Sequence, residues 1–261
     1  MVTPVKGLAL ISGSGGLGRT TIAVNLAHLL AKGGQKVLLT DLNFGWSGLN
    51  RYASTLPSFE DILESDGEAE KIVANTDEGF DLLTCIPPDF LEFENDDFKK
   101  LAWVLSRITP AYDLVIYDPP SGGHPLSLLA AGMCDRVMLF ARPDGMSFGS
   151  SYCLLRSLHM EGINSRVRAI FNFCETEDHA VSLKTRFDLA TERFLGFKVE
   201  SGGFILRSDE LFDGDFLTGE LSFASQSLLN HLDLSGIKSL QDETDINSVL
   251  NTFPDRINLR R

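Results

Sequence analysis

The chain has 261 residues, 43% of them hydrophobic, and 36 acidic against 23 basic side chains give a formal net charge of −13. That size supports one wide domain with a large core, and no apolar run approaches the ~18–20 residues of a membrane span. The negative excess argues against nucleic acid or anionic lipid as a partner of the body of the chain.

Met1 to Val5 has neither the basic flank nor the apolar stretch of a signal peptide. The first predicted strand, Gly7–Ser12, runs directly into Gly13-Ser14-Gly15-Gly16-Leu17-Gly18-Arg19-Thr20-Thr21. Glycines after a strand and before a helix let backbone N–H groups converge on phosphate oxygens, and the helix start adds its partial positive charge. Thr20 and Thr21 follow, and a hydroxyl there can ligate Mg²⁺. The helix predicted over Thr20–Lys32 repeats Ile22, Leu26, Leu29 and Leu30 at helical spacing, which gives it a core face.

A second strand, Lys36–Thr40, ends at Asp41 and opens the segment Asp41-Leu42-Asn43-Phe44-Gly45-Trp46. Trp46 reads equally well as a core residue or as a contact surface. Further strands are predicted at Phe80–Cys85, Asp113–Tyr117, Arg136–Ala141 and Val167–Asn172. Helices are predicted at Asp96–Arg107, Ser147–Met160 and Ser182–Phe194. Several strands are almost wholly apolar, as expected for parallel strands covered on both faces. The β–α alternation predicts an α/β fold: a doubly wound, mainly parallel sheet with helices on both faces.

Asp118 ends one apolar strand and reads either as a Mg²⁺ carboxylate or as a cap on the following turn. Cys85, Cys134, Cys153 and Cys174 are far apart and read as buried reduced thiols of a cytoplasmic protein. The five histidines, His28, His124, His159, His179 and His231, show no metal-ligand spacing. Between Arg207 and Asp245 nine acids stand against two bases, a solvated acidic surface or a docking face for a basic partner. The expected domain covers residues 1–235, with 236–261 a polar, loosely ordered tail.

The glycine loop resembles the deviant Walker A segment of the MinD/ParA family, whose usual form is KGGxGK[ST]T. Three further stretches are similar to that family in order and spacing. They are the Asp41–Asn50 segment, Tyr112–Gly122 as Walker B and second switch, and Cys134–Asp144. Ala169–Asn172 resembles the strand whose asparagine recognises adenine. Phe194–Gly196 and Gly203–Ile205 are similar to the FlhG branch of the family, which regulates flagellar number. The likeness spans roughly residues 6–232.

The resemblance implies Gly15, Gly16, Gly18, Arg19, Thr20, Thr21 and Asn172 as nucleotide-binding residues. It implies Thr20, Asp41 and Asp118 around Mg²⁺. It also exposes departures. Ser14 stands where the family has the lysine that reaches across a dimer, Arg19 where it has the loop lysine, and Asn43 where it has the aspartate that polarises water. Arginine's planar fork does not replace a compact ammonium group, and an amide cannot take up a proton.

The resemblance with these losses predicts a regulatory scaffold with impaired ATP hydrolysis, working with protein partners in placing or numbering a polar appendage such as a flagellum or pilus. The alternative is a working ATPase that tolerates Arg19 and Asn43. ATP or ADP with Mg²⁺ is expected to bind weakly or not at all, and any homodimer to form without ATP. Residues 246–261 are a poor candidate for a membrane-binding helix, because Pro254 interrupts the apolar face and the preceding acids repel anionic lipid. The expected location is cytoplasmic, at a pole or against the inner membrane only through a partner.

Overall fold

A computed structural model describes residues 6–87 and 95–207. Ser208, His231, most of the acidic 207–245 stretch and the 236–261 tail lie outside the described residues. The strands are β1 (Lys6–Ser12), β2 (Val37–Asp41), β3 (Val73–Asn75), β4 (Asp81–Leu83), β5 (Leu114–Asp118), β6 (Arg136–Ala141), β7 (Val167–Cys174) and β8 (Glu200–Leu206). The helices are α1 (Arg19–Lys32), α2 (Phe59–Glu64), α3 (Ala69–Ile72), α4 (Asn95–Ile108), α5 (Pro125–Met133), α6 (Gly145–Met160) and α7 (Glu177–Leu195).

Among the described residues the strands form one sheet in the order β3-β4-β2-β5-β1-β6-β7-β8. Every neighbouring pair is parallel except β3 with β4. The predicted doubly wound sheet is therefore present, with β1 between β5 and β6 at its centre rather than at an edge.

Alternation along the central strands explains why both faces are covered. Leu8, Leu10, Leu39, Ile116 and Phe140 pack in one buried cluster with Ile22 and Leu26 of α1. Ala9, Ile11, Leu38, Val115 and Leu139 point the other way, into a cluster with residues of α4, α5, α6 and α7. Each fully buried Leu or Ile adds about 1.5–3 kcal/mol, so the register of these strands is strongly specified.

Five elements, β3, β8, α2, α3 and α5, were not expected from the sequence. The strand β3 is three residues long, and β8 opens on Glu200-Ser201-Gly202-Gly203, a poor strand sequence. Gly202 is required there: a Cβ would lie 2.9 Å from Ile170 and 3.0 Å from Met138. The short helix α2 is held by a capping box between Ser58 and Asp61, and α5 starts with Pro125 behind the His124 cap. One thiol also departs from expectation: Cys85, Cys134 and Cys174 are buried, but Cys153 is exposed on α6. No helix among the described residues is long and apolar enough to cross a membrane.

Candidate functional site

The carboxyl ends of β1, β2, β5 and β7 bring the expected site residues together. The turn from β1 to α1 is formed by Gly13–Gly18, with Gly16 at φ +72° and Gly18 at φ +75°, a left-handed backbone that glycine adopts without strain. Gly18 stands at the start of α1 and offers no side-chain cap, and no acid occupies the helix's first turn. The helix start therefore keeps an electropositive end facing the loop. Gly13 is fixed by proximity instead: a Cβ there would meet the Ser150 carbonyl carbon of α6 at 2.1 Å. The Gly122 N–H donates to the Ser12 carbonyl at 2.7 Å, and the Ser12 hydroxyl donates to the Ser14 carbonyl at 2.6 Å. These bonds tie the segment after β5 to the glycine loop.

Arg19 does not extend toward the loop's open side. Its Nη1 donates to the Leu10 carbonyl at 3.2 Å and the Pro119 carbonyl at 2.7 Å. The same nitrogen stands 3.9 Å from Asp118 Oδ1, with the arginine side chain only 11% exposed. Burial lowers the Arg19 pKa and Asp118 partly restores it. Arginine stays charged in such surroundings, so the guanidinium is a fixed internal cation.

Asp118 is wholly buried at the end of β5. Burial pushes its carboxyl up to about 6, against the opposing pull of Arg19 and the Thr20 hydrogen bond, while Asp41 pushes it further up. The Thr20 hydroxyl donates to Asp118 Oδ2 at 2.5 Å, and Asp118 Oδ1 has no hydrogen-bond partner. A hydroxyl beside a carboxylate with one oxygen free of hydrogen bonds suits a hard cation such as Mg²⁺. Thr20 and Asp118 therefore fit the metal half of the expected site.

Asp41 is next to Asp118 in register across β2 and β5, but its carboxylate serves its own loop. Oδ1 accepts from the Asn43 N–H at 3.0 Å. Oδ2 accepts from the Gly45 N–H at 2.9 Å, the Ser47 hydroxyl at 2.7 Å and the Thr84 hydroxyl at 2.8 Å. Burial raises the Asp41 pKa, and these four bonds oppose the rise. Asp41 thus anchors the 42–48 loop rather than presenting an open metal ligand. Within that loop Phe44 is buried against Phe59, with ring centroids 4.7 Å apart. Trp46 is 64% exposed, which decides its reading as surface rather than core. Asn43 is half-buried beside the anchor.

Asn172 at the end of β7 is also engaged. Its Nδ2 donates to the Leu17 carbonyl at 2.8 Å and its Oδ1 accepts from the Phe173 N–H at 2.7 Å. The amide pins the glycine loop to β7, and Phe173 approaches Gly18 from the same side. Thr84, Ser47, Ser12 and Gly122 were not singled out from the sequence. Thr84 is 43 positions from Asp41, and nothing local marks the contact.

Comparison with known proteins decides the affiliation. The CobQ/CobB/MinD/ParA nucleotide binding domain matches residues 8–215. The chain belongs to this family. Among relatives it is similar to the antiactivator FleN of Pseudomonas aeruginosa, 22% identical over 77% of this chain and 74% of FleN. It is also similar to the flagellum site-determining protein YlxH of Helicobacter pylori, 25% identical over 58% of this chain and 53% of YlxH. The fold is that of the septum site-determining protein MinD from Pyrococcus horikoshii, solved with Mg-ADP. The TM-score is 0.68 at 18% identity, over 89% of this chain and 98% of that one. The family is of nucleotide-binding type.

Proposed function

We propose that this chain is a regulator of the FlhG type that works through protein contacts and hydrolyses ATP slowly or not at all. The observation that carries the reading is the inward Arg19: its Nη1 is bonded to the carbonyls of Leu10 and Pro119. In that position it neither reaches a β- or γ-phosphate nor stabilises charge developing there, and charge stabilisation dominates phosphoryl transfer. Asn43 removes water activation, and Ser14 is too short to reach a partner's phosphates. Bound Mg²⁺ would supply charge neutralisation at Thr20 and Asp118, but the remaining parts of the reaction lack their groups.

The process is placement or number control of a polar appendage, supported by the likeness to a flagellum site-determining protein and to FleN. Any homodimer forms without ATP, in the cytoplasm, and a partner brings the protein to a pole or to the inner membrane. The retained Thr20–Asp118 pair favours a second reading, an ATPase that tolerates Arg19 and Asn43. Phosphate release from Mg-ATP separates the two. The proposal expects background rates. A rate comparable to a functional relative, abolished by Asp118→Ala, would overturn it.

A further inference from the structure

The sheet ends at β3, whose outer edge pairs with no strand among the described residues. An unpaired strand edge is a template for another extended chain. Of the helices leading into it, α2 and α3 pack together and α3 adjoins β3. Between Glu60 and Asp81 the sequence carries nine carboxylates and one base, Lys71, and Lys71 is already paired with Glu68 at 2.9 Å. Glu60, Asp61, Glu64, Asp66, Glu68 and Glu70 are all exposed. Hydrogen bonding with Ser58 holds the Asp61 carboxyl below its usual range, so it stays ionised.

A cavity of about 180 Å³ opens where α2, α3 and β3 meet, its lining including Leu56, Pro57, Val73, Asp61, Glu70 and Lys71. A mainly polar lining with two carboxylates and a few apolar side chains suits a lysine or arginine side chain, which brings its cation to an acid, while Lys71 is already paired with Glu68. We infer that the β3 edge is a docking site for a basic, extended segment of a partner protein, which adds as a strand and seats a cationic side chain in this cavity.

Charge selects the occupant. A second copy of this chain would bring the same carboxylates to the same edge, and like charges facing each other repel. A neutral strand gains backbone bonds alone, and three residues of edge provide few of them. A basic strand gains both backbone pairing and Coulombic attraction. The inference does not rest on the nucleotide site, because β4, β2 and β5 separate β3 from β1 and its glycine loop.

The test is fluorescence anisotropy on the full chain at ~50 mM salt, where surface charges are weakly screened. One labelled octapeptide alternates arginine and valine. A second, of equal charge, alternates arginine and proline and cannot pair as a strand. The first is expected to bind saturably. Binding is expected to fall at least ~5-fold for the proline peptide, and as much for Glu68→Gln/Glu70→Gln, two exposed changes that leave the fold intact by circular dichroism. Substituting Glu175→Gln/Glu177→Gln, near the start of α7, is expected to change it less than ~2-fold. Amide exchange should slow across residues 69–76 with the arginine–valine peptide bound. No saturable binding of that peptide, equal binding of the proline peptide, or an unchanged Glu68→Gln/Glu70→Gln protein would each overturn the inference.

Discussion

Arg19 Nη1 stands 2.7 Å from the carbonyl oxygen of Pro119, the residue directly after Asp118. This bond draws the arginine beneath the glycine loop, where it also meets the Leu10 carbonyl. The side chain therefore joins β1, α1 and the segment after β5 from within.

Removing that cation should destabilise the fold. Arg19→Ala leaves two carbonyls and the buried Asp118 without their cation, and a loss of about 2–4 kcal/mol is expected. Arg19→Lys keeps the charge and should cost about half as much. Urea unfolding with an unchanged m-value measures both. An Arg19→Ala protein as stable as the parent would mean that the guanidinium is not anchored there.

Two glycines of one loop should respond differently to alanine. Gly13→Ala drives a methyl into the backbone of α6 at Ser150, with an expected cost of at least ~3 kcal/mol or failure to fold. Gly16→Ala meets nothing within 4 Å and should cost only ~1 kcal/mol, the strain of its φ of +72°. Thermal unfolding of the pair checks the ranking.

Asp41 should control the loop that displays Trp46. Replacing it by alanine removes an acceptor for four hydrogen bonds, with about 3 kcal/mol lost. Faster amide exchange over residues 42–48 is expected. In a Trp103→Phe background, Trp46 emission should shift and its quenching by acrylamide should change. Unchanged exchange across that loop would show that Asp41 does not anchor it.

The central sheet and the glycine loop were legible in the sequence because the signals are local. Apolar strands such as Leu114–Asp118 bury both faces, and the glycines follow β1 without a gap. The strands β3 and β8 were not legible: one is too short for a pattern, and in the other Gly202 makes room for Ile170 and Met138 across the sheet. Residue types around the site were readable, but their directions were not. Arg19 turns inward for carbonyls supplied by β1 and by the segment after β5, Asp41 turns to Thr84 far along the chain, and Asn172 turns to Leu17. Each choice depends on partners that only the fold brings near.

Rebuilding the missing groups should recover part of the chemistry. Ser14→Lys, Arg19→Lys and Asn43→Asp together put back the groups that the MinD/ParA resemblance implies at these positions: a dimer-spanning charge, a phosphate ligand and a water-orienting carboxylate. Measurable Mg-dependent phosphate release is expected from the triple variant, and none above background from Arg19→Lys alone, because the three groups act as a unit. Activity restored by Arg19→Lys alone would place the whole defect in one residue.

The most direct test of an internally occupied, non-hydrolysing site is a calorimetric titration of the full chain with Mg-ATP, paired with sedimentation at each ligand concentration. Arg19 held inward and the absent loop lysine predict a Kd above ~100 μM, where each tenfold loss is ~1.4 kcal/mol, and an oligomeric state that does not change with ATP. Saturable low-micromolar binding coupled to conversion from monomer to dimer would contradict the account.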